Sequence, residues 1–396
     1  MRIAFKLLFI AFGLGLIAYM FSLDDQAQEE LREELPVLGD GVLPDESDDA
    51  EDLGDEGADK DTNEEEDGPV DEGNGMEDTD EPEEQVSSSE EGANEESEAG
   101  DTLDLQGGYH TYIGMDADEL TEQMGDPDRR DPTQYGYEWY VWNDEEYLQA
   151  GVAGGEVVTV YTNAVSGQAE PFTIGESYST YRDDWSFQQE VSLSGDYSTF
   201  QFNLSEADLE TRPLVEMDGV YIQLYFDTFE GSLSSIRYSD AETIVLHQPY
   251  ALTYSRSMPD KPDLTDEEWE QVEEGMARQV FDLTNNFRSR HGLEALDWDE
   301  DTARVAFYHS KDMYENEYFS HSSPNHGELS DRLTAEGVQY HMAAENIAAR
   351  YDDAAAAVEG WLNSEGHRVN LKHEDLTHLG VGVYREFYTQ NFITPW

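Results

Sequence analysis

Phe319-Ser320-His321, Ala344-Glu345-Asn346-Ile347-Ala348 and Ser364-Glu365-Gly366-His367-Arg368-Val369-Asn370 are the three phrases that decide how this chain is read. Eight of the ten histidines lie beyond position 290, and two of them, His321 and His367, stand in these phrases. With Glu345 they read as two imidazoles and a carboxylate on separate loops that converge in one polar cleft. Such a set suits a divalent metal, held by neutral ring nitrogens, or the movement of a proton.

Around these phrases the pattern is helical and then extended. Residues 267–290 have strong helical spacing and stop at His291-Gly292, and 299–318 read as a second long helix. A short helix over 329–336 closes at Gly337, and Asp352-Asp353 can cap a helix over 354–362. Residues 379–384 and 387–393 read as two strands. Helices alternating with a terminal hairpin predict a layered α/β unit of about 120 residues. Residues 251–265, with Pro259 and Pro262, read as a connector.

Upstream, residues 108–252 read as a mixed α/β domain. A helix over 116–124 ends at Gly125-Asp126-Pro127, and strands follow over 138–143, 147–152 and 156–161, the last two joined at Gly154-Gly155. Ile113-Gly114 is echoed by Ile174-Gly175, and strands over 220–226 and 233–238 flank Glu230-Gly231, so the domain reads as a tandem repeat. The run Tyr135-Gly136-Tyr137-Glu138-Trp139-Tyr140-Val141-Trp142 admits two readings, a ligand platform or a strand covered on both faces.

The amino terminus reads as an export signal. Arg2 and Lys6 precede an apolar run, Asp24 and Asp25 follow it, and no small-x-small cleavage site appears at its exit. Residues 1–23 therefore read as an uncleaved signal anchor, the alternative being a cleaved signal peptide and a secreted protein. It crosses the cytoplasmic membrane once, through residues 3–22, and leaves the rest of the chain extracellular. Residues 24–104 hold 36 acids, two bases and no aromatic residue. Such a tract cannot bury enough apolar area to offset chain entropy, so 24–107 read as an acidic disordered linker. Positions 105–396 still carry 55 acids against 17 bases, which suggests a halophilic organism, where salt screens the repulsion. Nucleic acid is excluded as a partner because nothing here neutralises phosphates. The absence of cysteine excludes disulfides and a lipobox anchor.

The carboxy-terminal segment, 276–396, resembles a bacterial CAP domain, the family of cysteine-rich secretory, antigen 5 and pathogenesis-related proteins. The phrases that carry the resemblance are Asn285-Asn286-Phe287-Arg288, Leu296-Asp297-Trp298-Asp299, His309-Ser310-Lys311-Asp312-Met313, the three quoted above, Leu379-Gly380-Val381-Gly382-Val383 and Tyr388-Thr389-Gln390-Asn391-Phe392. Residues 108–252 resemble the CAP-associated amino-terminal domain, through Gly125-Asp126-Pro127-Asp128-Arg129 and the aromatic run. The resemblance implies an α+β chain whose carboxy-terminal part is a three-layer α-β-α sandwich.

It also implies a cleft with two histidines and two glutamates. His321 and Glu345 match the family motifs directly. Phe387 stands where animal and plant members have the second histidine, and His367 replaces it on the bacterial Gly-His-Arg pattern. Ser364 occupies the position of the second glutamate, and Glu365 lies one residue late. His321 and His367 are then the candidate ligands of a zinc-like ion, with Glu345 as a hydrogen-bond partner or base. His309 reads as a packed helix residue.

Three functions compete. The first is a binding module for a metal, lipid or cell-wall fragment. The second is a hydrolase using Ser320, Ser322, Ser330, Ser364 or a metal-bound water. The third is an envelope interaction protein with a vestigial cleft. No Gly-x-Ser-x-Gly or His-Glu-x-x-His motif is present, which favours binding over an enzyme.

Overall fold

The amino-terminal half is built from one unit used twice. The computed structural model describes residues 108–143, 147–165, 169–194 and 198–396. The expected membrane segment and the whole of the acidic linker lie outside them. Among the described residues no helix is long and apolar enough to cross a membrane. The elements of this half are α1 (Ala117–Met124), β1 (Arg129–Pro132), β2 (Glu138–Asn143), β3 (Tyr147–Ala153), β4 (Glu156–Thr162), α2 (Tyr178–Trp185), β5 (Glu190–Ser194), β6 (Thr199–Asn203), α3 (Glu206–Thr211), β7 (Leu214–Met217), β8 (Val220–Asp227), β9 (Ser232–Ser239), α4 (Ala241–His247) and β10 (Ala251–Tyr254). One antiparallel sheet has the order β1-β2-β3-β4-β9-β8-β7, and a second has the order β10-β6-β5.

The repeat is visible bond by bond. The Gly114 N–H donates to Val157 O at 2.8 Å, and the Gly175 N–H donates to Leu233 O at 2.8 Å. Asp116 bridges Glu156 and Ser177 bridges Ser232, and these residues cap α1 and α2. Both hairpins carry a bulge, at Gly151/Val152 and at Tyr225/Phe226. The turns differ. The first is Gly154-Gly155, with both glycines at positive φ, whereas Thr228 to Gly231 form a longer turn in the second.

The aromatic run is a strand covered on both faces. Tyr137, Trp139 and Val141 face the carboxy-terminal half, and Tyr140 and Trp142 pack into the core of the repeat. The expected connector is partly strand, since Ala251–Tyr254 pairs with β6.

The carboxy-terminal half contains α5 (Asp266–Arg290), β11 (Asp297–Trp298), α6 (Glu300–Glu315), α7 (Leu329–Glu336), β12 (Tyr340–Ala349), α8 (Ala354–Leu362), α9 (Glu365–Leu371), β13 (His378–Tyr384) and β14 (Phe387–Pro395). Its sheet has the order β11-β13-β14-β12, sandwiched between α6 on one face and α5 with α8 on the other. Thr265 and Glu268 form a capping box at α5, and Asp299 and Asp353 cap α6 and α8. Alternation along β13 explains the layering. Leu379, Val381 and Val383 enter the core beneath α5, while Gly380 and Gly382 face α6. A Cβ at either glycine would fall on the α6 backbone, at Ala303 or Phe307, so side-chain-free positions set the helix–sheet distance.

The two halves share one core. Tyr135, Trp139, Tyr161 and Tyr225 pack with Val280, Phe287, Val358 and Tyr388. Buried polar groups also cross the junction. Glu359 accepts from Ser234 (2.7 Å), Ser235 and Tyr161 (3.1 Å), and burial raises its pKa. The helix expected over 299–318 stops at Glu315, because Glu317 turns left-handed (φ 55°) and Tyr318 reaches back to Asp312.

Candidate functional site

Only one of the three expected loops is a loop. His321 lies on the segment between α6 and α7, Glu345 lies on β12 and His367 on α9. The alanines and polar residues of 340–349 hide the strand alternation, and α9 is too short to show a helical period.

Buried Asp312 on α6 anchors the His321 segment. It accepts from Ser323 Oγ at 2.6 Å, Tyr318 Oη at 2.5 Å and Asn325 Nδ2 at 3.1 Å. Burial would raise this carboxyl, but the three donors outweigh it and hold it below the ordinary aspartate value. His321 itself is exposed, and its Nδ1 lies 3.0 Å from Glu345 Oε1. A carboxylate only accepts, so His321 donates from Nδ1 and the neutral ring keeps its Nε2 lone pair.

Glu345 is buried and fully engaged. The other oxygen, Oε2, accepts from Arg332 Nη2 at 2.5 Å and, with the Asn391 amide turned so that both its ends are satisfied, from Asn391 at 2.9 Å. Arg332 also donates to His321 O (2.7 Å) and Gly327 O (3.0 Å), so one guanidinium ties the loop to the strand. His309 Nε2 lies 3.9 Å from Glu345 Oε1 and 3.1 Å from Ser320 O. Burial alone would raise the Glu345 carboxyl. The hydrogen bond from His321 and the charge of Arg332 reverse this, and the group stays ionised. Burial pushes His309 down to about 4, so it is neutral.

His367 approaches along the free edge of β12, the edge strand of the sheet. The Asn370 side chain donates to Glu345 O (3.2 Å) and Asn346 Oδ1 (2.8 Å), and Trp361 Nε1 donates to Ile347 O (2.9 Å). Helices α8 and α9 thereby satisfy the free edge of the sheet. His367 Nδ1 sits 2.8 Å from Ser364 Oγ, and burial, with His321 nearby, lowers its pKa to about 4.

His321 and Glu345 therefore touch, and His367 is their electrostatic neighbour, held by Ser364. Glu365 does not join them. It is exposed and lines an open groove of about 470 Å³ with Phe229, Val369 and Lys372. Arg332, Asn391 and the nearness of His309 to Glu345 were missed in the sequence. A buried carboxylate needs a cation, and Arg332 on a short amphipathic helix was the available one. Among the described residues no group of three or more His, Cys, Asp or Glu side chains is arranged to hold a metal ion.

Comparisons with known proteins agree with this architecture. The family model described as Cysteine-rich secretory protein family matches residues 281–394, and the CAP-associated N-terminal model matches 113–250. A Bacillus subtilis (strain 168) protein described as "Uncharacterized membrane protein YlbC" is 45% identical over 307 residues, 77% of this chain and 89% of the relative. A crystal structure of an extracellular protein containing a SCP domain from Bacillus anthracis str. Ames is 43% identical, with a TM-score of 0.70 over 78% of this chain and 99% of that one. A cysteine-rich secretory protein from Staphylococcus aureus subsp. aureus Mu50 is 26% identical, with a TM-score of 0.65 over 73% and 95%. These likenesses extend through both halves, and the chain belongs to the cysteine-rich secretory protein family, the CAP or SCP-domain proteins, with a CAP-associated amino-terminal domain ahead of that fold.

Proposed function

We propose that this CAP-domain protein is a membrane-tethered extracellular binding module whose His321–Glu345–His367 cleft takes a divalent metal ion such as zinc. The observation that carries the reading is the Glu345–His321 hydrogen bond of 3.0 Å, braced by Arg332. A carboxylate behind a histidine fixes the tautomer and raises the basicity of the outward nitrogen. His367 offers a second nitrogen when it donates from Nδ1 to Ser364. Two protein donors are fewer than the usual three or four, so the ion would be held weakly, with positions open to a further ligand. That open coordination is where a lipid headgroup or wall fragment would enter.

Calorimetric zinc titration of residues 99–396 tests this, since the described residues 108–396 belong to one compact unit and a relative of similar extent has been crystallised. The expected result is saturable binding by the parent that the His321→Ala/His367→Ala variant loses. Equal binding by both, or none by either, would remove the metal and turn the search to lipids and wall fragments.

The tether rests on the apolar run at 3–22 and on the description of YlbC as a membrane protein. Finding the mature protein in the medium without residues 1–23 would overturn it.

One observation favours the hydrolase reading: Ser364 Oγ lies 2.8 Å from His367 Nδ1. Among the described residues no carboxylate orients His367, however, and a base titrating near 4 is a weak one at neutral pH. Ester hydrolysis abolished by Ser364→Ala would restore that reading.

A further inference from the structure

We infer that the β8–β9 turn of the CAP-associated domain is a positioning clamp for the cleft, gripping the junction of α8 and α9 through Arg368 and Asn363 and so placing His367. This rests on the binding reading given above, and it assigns a task to the amino-terminal domain.

The turn is built for the grip. Asp227 Oδ1 accepts from the Phe229 and Glu230 N–H groups at 2.9 and 3.0 Å, closing the turn on itself. Its second oxygen faces Arg368 Nη1 at 2.7 Å, and Glu230 Oε1 takes Arg368 Nη2 at 2.9 Å and His291 Nε2 at 2.6 Å. The Phe229 ring lies 5.1 Å from the same guanidinium, and Phe287 lies 5.4 Å from it. Arg368 also donates to Leu362 O at 3.0 Å, the last residue of α8. On the neighbouring side, the Thr228 N–H and hydroxyl both donate to Asn363 Oδ1 at 2.8 Å, and Asn363 Nδ2 returns a bond to Phe226 O at 2.8 Å.

The two gripped residues of the α8–α9 junction adjoin the cleft. Asn363 precedes Ser364, which holds His367, and Arg368 follows His367 directly. The side chains of Arg368 and Asp227 are 9% and 5% exposed, so their pairing is shielded from salt. Burial would raise the Glu230 carboxyl, but His291, Arg368 and Lys372 outweigh it and keep it ionised. The first repeat supplies an internal control. Its hairpin turns through Gly154-Gly155 alone, whereas the gripping side chains occupy the extra length of the second turn.

Two measurements on residues 99–396 decide the matter: long-range imidazole 15N–1H spectra, which report the His367 tautomer, and zinc titration. Asp227→Asn/Glu230→Gln keeps side-chain shape and the turn's own cap while removing both charges. The parent is expected to show one His367 tautomer, protonated at Nδ1. The double variant is expected to show an averaged pattern, with zinc affinity about 10-fold weaker. A folded double variant whose His367 pattern is unchanged, whatever its melting temperature, overturns the clamp. Should it fail to fold, Glu230→Gln alone is read by the same two outcomes, since this side chain is 44% exposed and isosteric with its replacement. A parent that binds no zinc defeats the binding reading only, because the tautomer pattern still decides the clamp.

Discussion

Replacing Arg332 with alanine is expected to destabilise residues 99–396 by roughly 3–5 kcal/mol in urea denaturation. The guanidinium is 5% exposed and its partner Glu345 is 4% exposed. Removing it takes the guanidinium from a buried, ionised carboxylate and leaves His321 O without its donor, while Gly327 O keeps the Ser323 N–H. The expected loss is therefore the desolvation of an unpaired charge, larger than any single hydrogen bond. A second variant separates the causes. Arg332→Met with Glu345→Leu removes the charge as well as its partner, so most of the loss should return even though the cleft is destroyed. A loss under about 1 kcal/mol for Arg332→Ala would mean that Glu345 takes up a proton or that solvent reaches it.

Asp353→Ala is the second large effect, again roughly 3–5 kcal/mol. Both oxygens of this carboxylate bind Arg237 Nη2, at 2.7 and 2.6 Å, and Oδ1 also accepts from the Ala356 N–H at 3.0 Å to cap α8. Arg237 is 1% exposed. Its remaining partners are Asp352 at 3.2 Å and His247 at 3.0 Å. Burial would raise the Asp352 carboxyl, but the charges of Arg237 and Arg212, with His247 beside it, hold it well below its ordinary value. Asp353→Asn should lose less, because the amide oxygen still caps the helix. Equal losses for the two substitutions would show that the charge is the whole effect. A loss within about 1 kcal/mol of the parent for both would sink the view that this pair clamps the two halves.

Much of this architecture was legible in residues whose signals are local. The helix over 354–362 and its Asp353 cap, the short helix closed by Gly337, and the hairpins around Gly154-Gly155 and Glu230-Gly231 all stand where spacing and turn chemistry put them. What was hidden depends on distant partners. The edge strand carrying Glu345 has mostly alanine and polar residues, so its alternation shows only once β14 lies beside it. The helix bearing His367 is seven residues long and is held by a turn 138 positions earlier. In the cleft, His321 and Glu345 were found through their motifs. Arg332 has no motif and declares itself only by the charge it faces. The CAP family is shown by matches over residues 113–250 and 281–394, whereas nothing local in the sequence distinguished Glu365, which turned out to lie apart.

The Arg237–Asp353 pair joins positions 116 apart across the two halves. Its consequence is for inheritance. A recombination that replaced the carboxy-terminal half with that of a CAP protein lacking the amino-terminal domain would bury Arg237 against a surface never selected to receive it. Modules that look interchangeable on a domain diagram are thus bound to diverge together, and a substitution tolerated in one is conditional on its counterpart in the other.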